Sequence, residues 1–123
     1  MDRIELKGMA FYGYHGALKE ENALGQRFYI DVCLFLSLSR AGETDDLADT
    51  VNYAKVYDVV KARAEGKPFH LIERLAAAAA SDILDAFPEV VSVSVTVHKP
   101  SAPVAGIIDD VAVTIEKRRD RGQ

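Results

Sequence analysis

In the stretch "RFYIDVCLFLSLS", residues 27–39, Phe28, Ile30, Val32, Leu34, Leu36 and Leu38 fall at every second position. That alternation predicts a β-strand of about 14 residues with one face turned to a core. The other face carries Tyr29, Asp31, Cys33, Phe35, Ser37 and Ser39 and is mixed. The same period of two returns in "VSVSVTVH", where Val91, Val93, Val95 and Val97 alternate with Ser92, Ser94, Thr96 and His98. Two further strands are expected at residues 3–12, offering Ile4, Leu6 and Met9, and at residues 108–117, offering Val111, Val113 and Ile115.

In the middle of the chain the period changes. Asn52 is placed to cap a helix bearing Val56, Val59, Val60 and Ala64, which stops at Gly66. A second helix begins near His70, with Ile72, Leu75, Ala79, Ile83 and Phe87 at three- and four-residue steps, and ends at Pro88. The alanines from Ala76 to Ala80 favour helix and leave a flat surface for close packing. Residues 13–25, "GYHGALKEENALG", read as a polar loop.

The order is thus ββααββ. It predicts an α+β fold with an antiparallel four-stranded sheet and two helices on one face. Long strands at sheet edges invite association. Joining sheets from several copies into a closed barrel removes those edges, so a homo-oligomer is expected.

With 123 residues, 49% of them hydrophobic and 28% charged, the chain fits one domain able to bury a core. The domain is expected to span residues 1–118, with 119–123 a charged tail. Lys117, Arg118, Arg119 and Arg121 form the one local excess of positive charge, read as a frayed, solvated end. The net charge of −4 argues against nucleic acid as a partner. No stretch approaches the ~20 apolar residues of a membrane span, and residues 1–8 lack a signal-peptide core. The cytoplasm is the expected compartment. Cys33 is the sole cysteine, which excludes an intrachain disulfide, and its apolar strand suggests a small buried hydrophobe.

Candidate chemistry gathers at a few positions. Lys99 stands between His98 and Pro100, where the strand pattern ends. A lysine at a strand end is ordinarily solvated. A partly desolvated amine on a restricted backbone is, alternatively, suited to proton transfer. Glu73, in "FHLIERLA", sits in the first turn of the second helix, where the helix dipole favours a carboxylate. It can equally accept paired N–H donors from a planar ligand edge, with nearby backbone groups adding bonds. Glu21 lies in a loop and Tyr53 just after a helix cap, and each has an ordinary surface role open to it. His15, His70 and His98 show neither HxxxH nor HxH spacing, so no metal site is expected.

Four segments, "LKGMAFYGYHGALKEENALGQRF", "DTVNYAKVY", "FHLIERLA" and "VHKPSAPVAG", taken in order and spacing, resemble dihydroneopterin aldolase of folate biosynthesis. The resemblance runs from residue 6 to about residue 117. It implies the tunnelling fold, whose unit is ββααββ, and a ring-shaped homo-oligomer, commonly an octamer. It implies retro-aldol cleavage of dihydroneopterin to hydroxymethyl-dihydropterin and glycolaldehyde, a lyase reaction without cofactor, metal or Schiff base. It assigns the acid/base role to Lys99, pterin anchoring to Glu73 with the backbone of Ile72, and further active-site roles, in catalysis and substrate binding, to Tyr53 and Glu21. A pterin epimerase or triphosphate-specific relative, a zinc-dependent pterin synthase and a non-catalytic pterin-binding oligomer are the alternatives on the same fold. After the lysine the chain departs from the family's pattern. Ala105, Ile108 and Ala112 replace an expected proline, aromatic and glycine, while Gly106, Asp109 and Val111 are kept.

Overall fold

The computed structural model describes residues 1–120. Four strands, β1 (Arg3–Gly13), β2 (Gln26–Phe35), β3 (Ser92–His98) and β4 (Ala112–Arg118), form one antiparallel sheet in the order β1-β2-β3-β4. Among the described residues, helices α1 (Lys19–Leu24), α2 (Ser39–Thr44), α3 (Tyr53–Ala64) and α4 (Ile72–Ala86) accompany the sheet, with a single 3-10 turn at Leu47–Asp49. The two long helices lie side by side, α3 over β1 and α4 over β3 and β4. The α+β architecture is as the periodicity implied. Among the described residues, no helix is long and apolar enough to cross a membrane.

The core lies between helices and sheet. Ile30, Val32 and Leu34 of β2 and Val93, Val95 and Val97 of β3 are buried under Val56, Val60, Leu75, Ala79 and Ile83. The alanines of α4 permit this close approach, since Ala76, Ala79 and Ala80 are fully buried. Asn52 Oδ1 accepts the Ala54 N–H at 3.0 Å and starts α3 as its side chain predicts. Arg63 of α3 grips Asp82 of α4 through Nε at 2.6 Å and Nη2 at 3.1 Å, a fork that holds the helices together.

Several boundaries differ from the sequence reading. β2 ends at Phe35 because residues 36–38 turn away to open α2. The supposed loop after β1 contains α1, and β4 begins at Ala112 rather than 108. In β1, Lys7 and Gly8 together face Asp31, between the pairs Leu6↔Val32 and Met9↔Ile30. This bulge, with Gly8 at φ +68°, moves the core-facing positions from Ile4 and Leu6 to Met9 and Phe11. Cys33 is not a core residue: it is half-buried on the uncovered face of the sheet, where desolvation and then the nearby Glu5 carboxylate push its thiol upward.

The basic end is only partly solvated where it is described: Arg118 is exposed, but Lys117 and Arg119 are engaged. Lys117 Nζ donates to Ser81 Oγ at 2.6 Å. The Arg119 guanidinium donates to the carbonyls of Leu84 at 2.6 Å and of Phe87 and Val90 at 3.1 Å. The Leu84 and Phe87 carbonyls close the C-terminal end of α4, where a cation is favoured by the helix dipole. Arg121 lies outside the described residues.

Candidate functional site

Lys99 follows the last residue of β3, and its N–H donates to Val111 O at 2.7 Å. Alternation along the strand turns its side chain to the helix-covered face, opposite to His98. There Nζ pairs with the carboxylate of Glu21, and the two side chains are only 12% and 9% exposed. The predicted strand-end lysine is therefore neither solvated nor alone.

Glu21 is held from several sides. Its Oε2 accepts Gln26 Nε2 at 3.0 Å, and its Oε1 accepts the Leu18 N–H at 3.3 Å, reaching back across the first turn of α1. Desolvation opposes its charge, but the hydrogen bonds from Lys99, Gln26 and Leu18 outweigh this and hold its carboxyl below the usual carboxylate range. Gly16 makes room for it: a Cβ there would lie 2.4 Å from Glu21 Oε1, and φ is +153°.

The floor of the site is His15, which is completely buried. Its Nδ1 accepts the Phe69 N–H at 3.0 Å, so Nε2 carries the proton and donates to Ala64 O at 2.8 Å. The ring stacks on Phe69 and meets Phe28 edge-on. Burial chiefly, and Lys99 further, keep His15 below its ordinary range and neutral. Gly16 N–H donates to Phe69 O at 2.9 Å. These bonds tie the segment that carries Glu21 to the segment leading into α4.

Glu73 stands in the first turn of α4 and is exposed. Leu71, preceding the helix, supplies no side-chain cap. The Ile72 and Glu73 N–H groups thus point out of the helix end beside an exposed carboxylate, a combination suited to a ligand that both accepts and donates. The Ile72 side chain itself is buried.

Tyr53 is elsewhere. It is 65% exposed, at the start of α3, and lines a cavity with Arg3, Ile4, Leu38 and Leu47. Arg3 and Ile4 pair with Phe35 and Leu34, whereas His98, beside Lys99, pairs with Tyr29. Five or six strand positions separate those levels, about 17–20 Å along the sheet. The chain folded once brings together Lys99 and Glu21 but leaves Tyr53 apart.

Gln26 was not among the residues read from the sequence. Its amide both buttresses Glu21 and leaves Oε1 buried without a partner among the described residues. A polar residue at the start of an alternating strand gives no signal by itself. The unused acceptor beside Lys99 and Glu21 emerges only when β2 is placed against α1.

The geometry can be set against known proteins. The family model for the FolB dihydroneopterin aldolase matches residues 4–116. The chain belongs to the dihydroneopterin aldolase family. The dihydroneopterin aldolase of Bacillus subtilis is 46% identical over 119 residues, covering 97% of this chain and 99% of its own. That of Streptococcus pyogenes serotype M1 is 44% identical over 119 residues, covering 97% and 100%. Among solved structures, Escherichia coli dihydroneopterin aldolase in complex with neopterin superposes with TM-score 0.86 at 27% identity, over 95% of this chain and 99% of that one. The Burkholderia enzyme bound to guanine gives TM-score 0.79 at 30% identity, over 97% and 92%. A uricase from Bacillus fastidious, at 10% identity, shares only the tunnelling fold: TM-score 0.71 over 98% of this chain and 49% of that one.

Proposed function

We propose that this chain is itself a dihydroneopterin aldolase, a lyase that cleaves dihydroneopterin to hydroxymethyl-dihydropterin and glycolaldehyde on the route to folate. The observation that carries the reading is the enclosed Lys99–Glu21 pair, tied through Gly16 and Phe69 to the segment that opens α4. The neopterin and guanine in the related structures each contain a planar ring system with an N–H and carbonyl edge of the kind that Glu73 and the Ile72 backbone would engage.

In the retro-aldol step the bond between the first and second side-chain carbons breaks. The second carbon's hydroxyl loses its proton and becomes the aldehyde. The electron pair passes to the first carbon and into the adjacent ring C=N bond as an enamine. A proton then returns to the first carbon. The substrate supplies the electron sink, so the protein needs only proton transfer and positioning. The Lys99–Glu21 pair holds a donor and an acceptor in hydrogen-bond contact, in a site largely closed to water. Lys99 is the general acid/base, and Glu21 orients its ammonium and contacts the side-chain hydroxyls.

Tyr53 would complete the site from a neighbouring copy. The separation of its cavity from Lys99 supports this, as do the two unpaired sheet edges, β1 and β4. The active assembly is a ring-shaped homo-oligomer, with an octamer as its expected form, working in the cytoplasm without metal. Product analysis after incubation with dihydroneopterin tests the activity, and absence of glycolaldehyde would refute it. Mixing inactive Lys99→Met and Tyr53→Phe chains tests the shared site: mixed oligomers should regain part of the activity, and no regain would show that Lys99 and Tyr53 are not contributed by different copies.

A further inference from the structure

On the uncovered face of the sheet, directly behind Lys99, His98 lies between two carboxylates. Its Nε2 is 2.7 Å from Asp31 Oδ2 and its Nδ1 is 2.6 Å from Asp110 Oδ2. Asp31 continues the chain of bonds, accepting the Gly8 N–H on Oδ1 at 2.7 Å. The β1 bulge, β2, the end of β3 and the far end of the loop after Lys99 are therefore joined by one line of hydrogen bonds. The same loop is closed on its backbone by Lys99 N–H to Val111 O at 2.7 Å. Between these anchors, the segment 100–109 has no regular structure and leaves Val104, Ile107 and Ile108 exposed. Two of the three departures from the family's pattern, Ala105 and Ile108, fall in this segment.

We propose that His98 is a positioning residue for Lys99, its ring fixing the base of the 99–111 loop to the sheet so that the Lys99 side chain meets Glu21. The site it serves is the aldolase site proposed above, and its role in turnover rests on that reading. The loop alone does not hold Lys99 in place: Pro100 has no N–H to give, and the turn bond from Ala102 N–H to Lys99 O is 3.2 Å. The clamp grips the chain one residue before Lys99 and one residue before Val111, the two ends of the closing backbone bond.

Both carboxylates accept, so the ring satisfies both only as the imidazolium, donating from each nitrogen. The charged groups facing it are Asp31 from β2 and Asp110 from the loop, with Lys7 of the β1 bulge acting on Asp31; its cross-strand neighbours are the titratable Tyr29 of β2 and the uncharged Ala112 of β4. The hydrogen bonds that His98 donates to Asp110 and then Asp31 raise it above the ordinary histidine range. The clamp is closed below that raised value and opens as pH rises past it, when one ring nitrogen turns a lone pair toward a carboxylate. Asp110→Asn removes the requirement for charge. A neutral ring then donates to Asp31 from Nε2 and accepts from the Asn side chain at Nδ1.

The test is amide hydrogen exchange at Lys99, as protection factors from neutral to alkaline pH, beside turnover of dihydroneopterin. In the wild-type chain, protection should fall at alkaline pH; in Asp110→Asn it should persist. His98→Ala should lower protection at neutral pH and reduce kcat on the order of 10–100-fold, the scale of a misplaced reacting group. KM should stay within about threefold. Wild-type protection and kcat in His98→Ala would overturn the proposal. So would an alkaline loss in Asp110→Asn equal to the wild type's, which keeps the test decisive if His98→Ala fails to fold. A wild-type chain inactive on dihydroneopterin but showing the expected exchange pattern would overturn the functional reading and leave the clamp standing.

Discussion

Replacing Lys99 with methionine removes the ammonium while keeping most of the side chain's bulk. Glu21, 9% exposed in the intact pair, is then left with Gln26 and the Leu18 N–H as its only donors among the described residues. Breaking a buried pair by removing one partner costs about 3–5 kcal/mol, because a buried charge is left uncompensated. The two surviving hydrogen bonds return part of this, which leaves a loss of about 2–4 kcal/mol at pH 7. With a urea m-value of about 2 kcal/mol/M, the midpoint should fall by about 1–2 M, measured at fixed protein concentration. The sign with pH follows from the depressed carboxyl of Glu21 in the intact pair. In the wild type its contribution is present above the unfolded carboxylate value and is lost as pH falls through the folded value. The variant has lost that contribution already, so its deficit should shrink as the buffer is acidified. Adding Glu21→Gln removes the stranded charge and should recover most of the deficit at pH 7. A midpoint unchanged by Lys99→Met, or losses from the two substitutions that simply add, would show that the pair is not energetically coupled.

Glu73→Gln should weaken pterin binding by about 2–4 kcal/mol, since the amide turns one acceptor into a donor facing a donor; unchanged affinity by fluorescence titration would reduce Glu73 to a helix-end charge. Gly16→Ala places a methyl group 2.4 Å from Glu21 Oε1 at φ +153°, so it should cost at least 10-fold in turnover while the far-UV spectrum stays native, and normal turnover would show that Glu21 need not sit where it does. His15→Ala strands Ala64 O and the Phe69 N–H, at a cost of about 2–4 kcal/mol by thermal or urea unfolding. Because His15 is depressed by burial, its contribution is present above the unfolded histidine value and lost as pH falls through its folded value; a stability profile with the same acid slope in wild type and variant would contradict that.

Strands β2 and β3 could be read from the sequence because one face is packed and the other is not, so alternation survives along their whole length. The two long helices were legible for the same reason at a different period, helped by Asn52 and Pro88. The β1 bulge was not read, although the shift from Ile4 and Leu6 to Met9 and Phe11 records it. A bulge is a relation between two strands, and the pairing with Asp31 is invisible in one. Helix α1 escaped because Leu18 cannot cap, and its start is marked only by Glu21 reaching back. Lys99 and Glu21 were both named from motifs, but their pairing depends on Gly16 and the His15–Phe69 contact. The clamp at His98 leaves no sequence signal, since its two carboxylate partners come from 67 residues earlier and 12 residues later in the chain. Arg119 looked like part of a solvated tail because the carbonyls it serves belong to the end of α4 and the turn beyond it. Composition distinguishes cations from neutral residues, not solvated cations from capping ones.

The central claim is that Lys99 transfers the proton in a retro-aldol cleavage, and single-turnover cleavage of dihydroneopterin by Lys99→Met, beside a binding titration on the same variant, addresses it most directly. Pterin affinity should stay within about tenfold of wild type, because Glu73 and the α4 backbone hold the ring, while the cleavage rate falls by roughly 10²–10⁴-fold, the range for a positioned proton-transfer group. Near-normal cleavage of bound substrate would contradict the account, and a large loss of affinity with normal chemistry would make Lys99 an anchor instead.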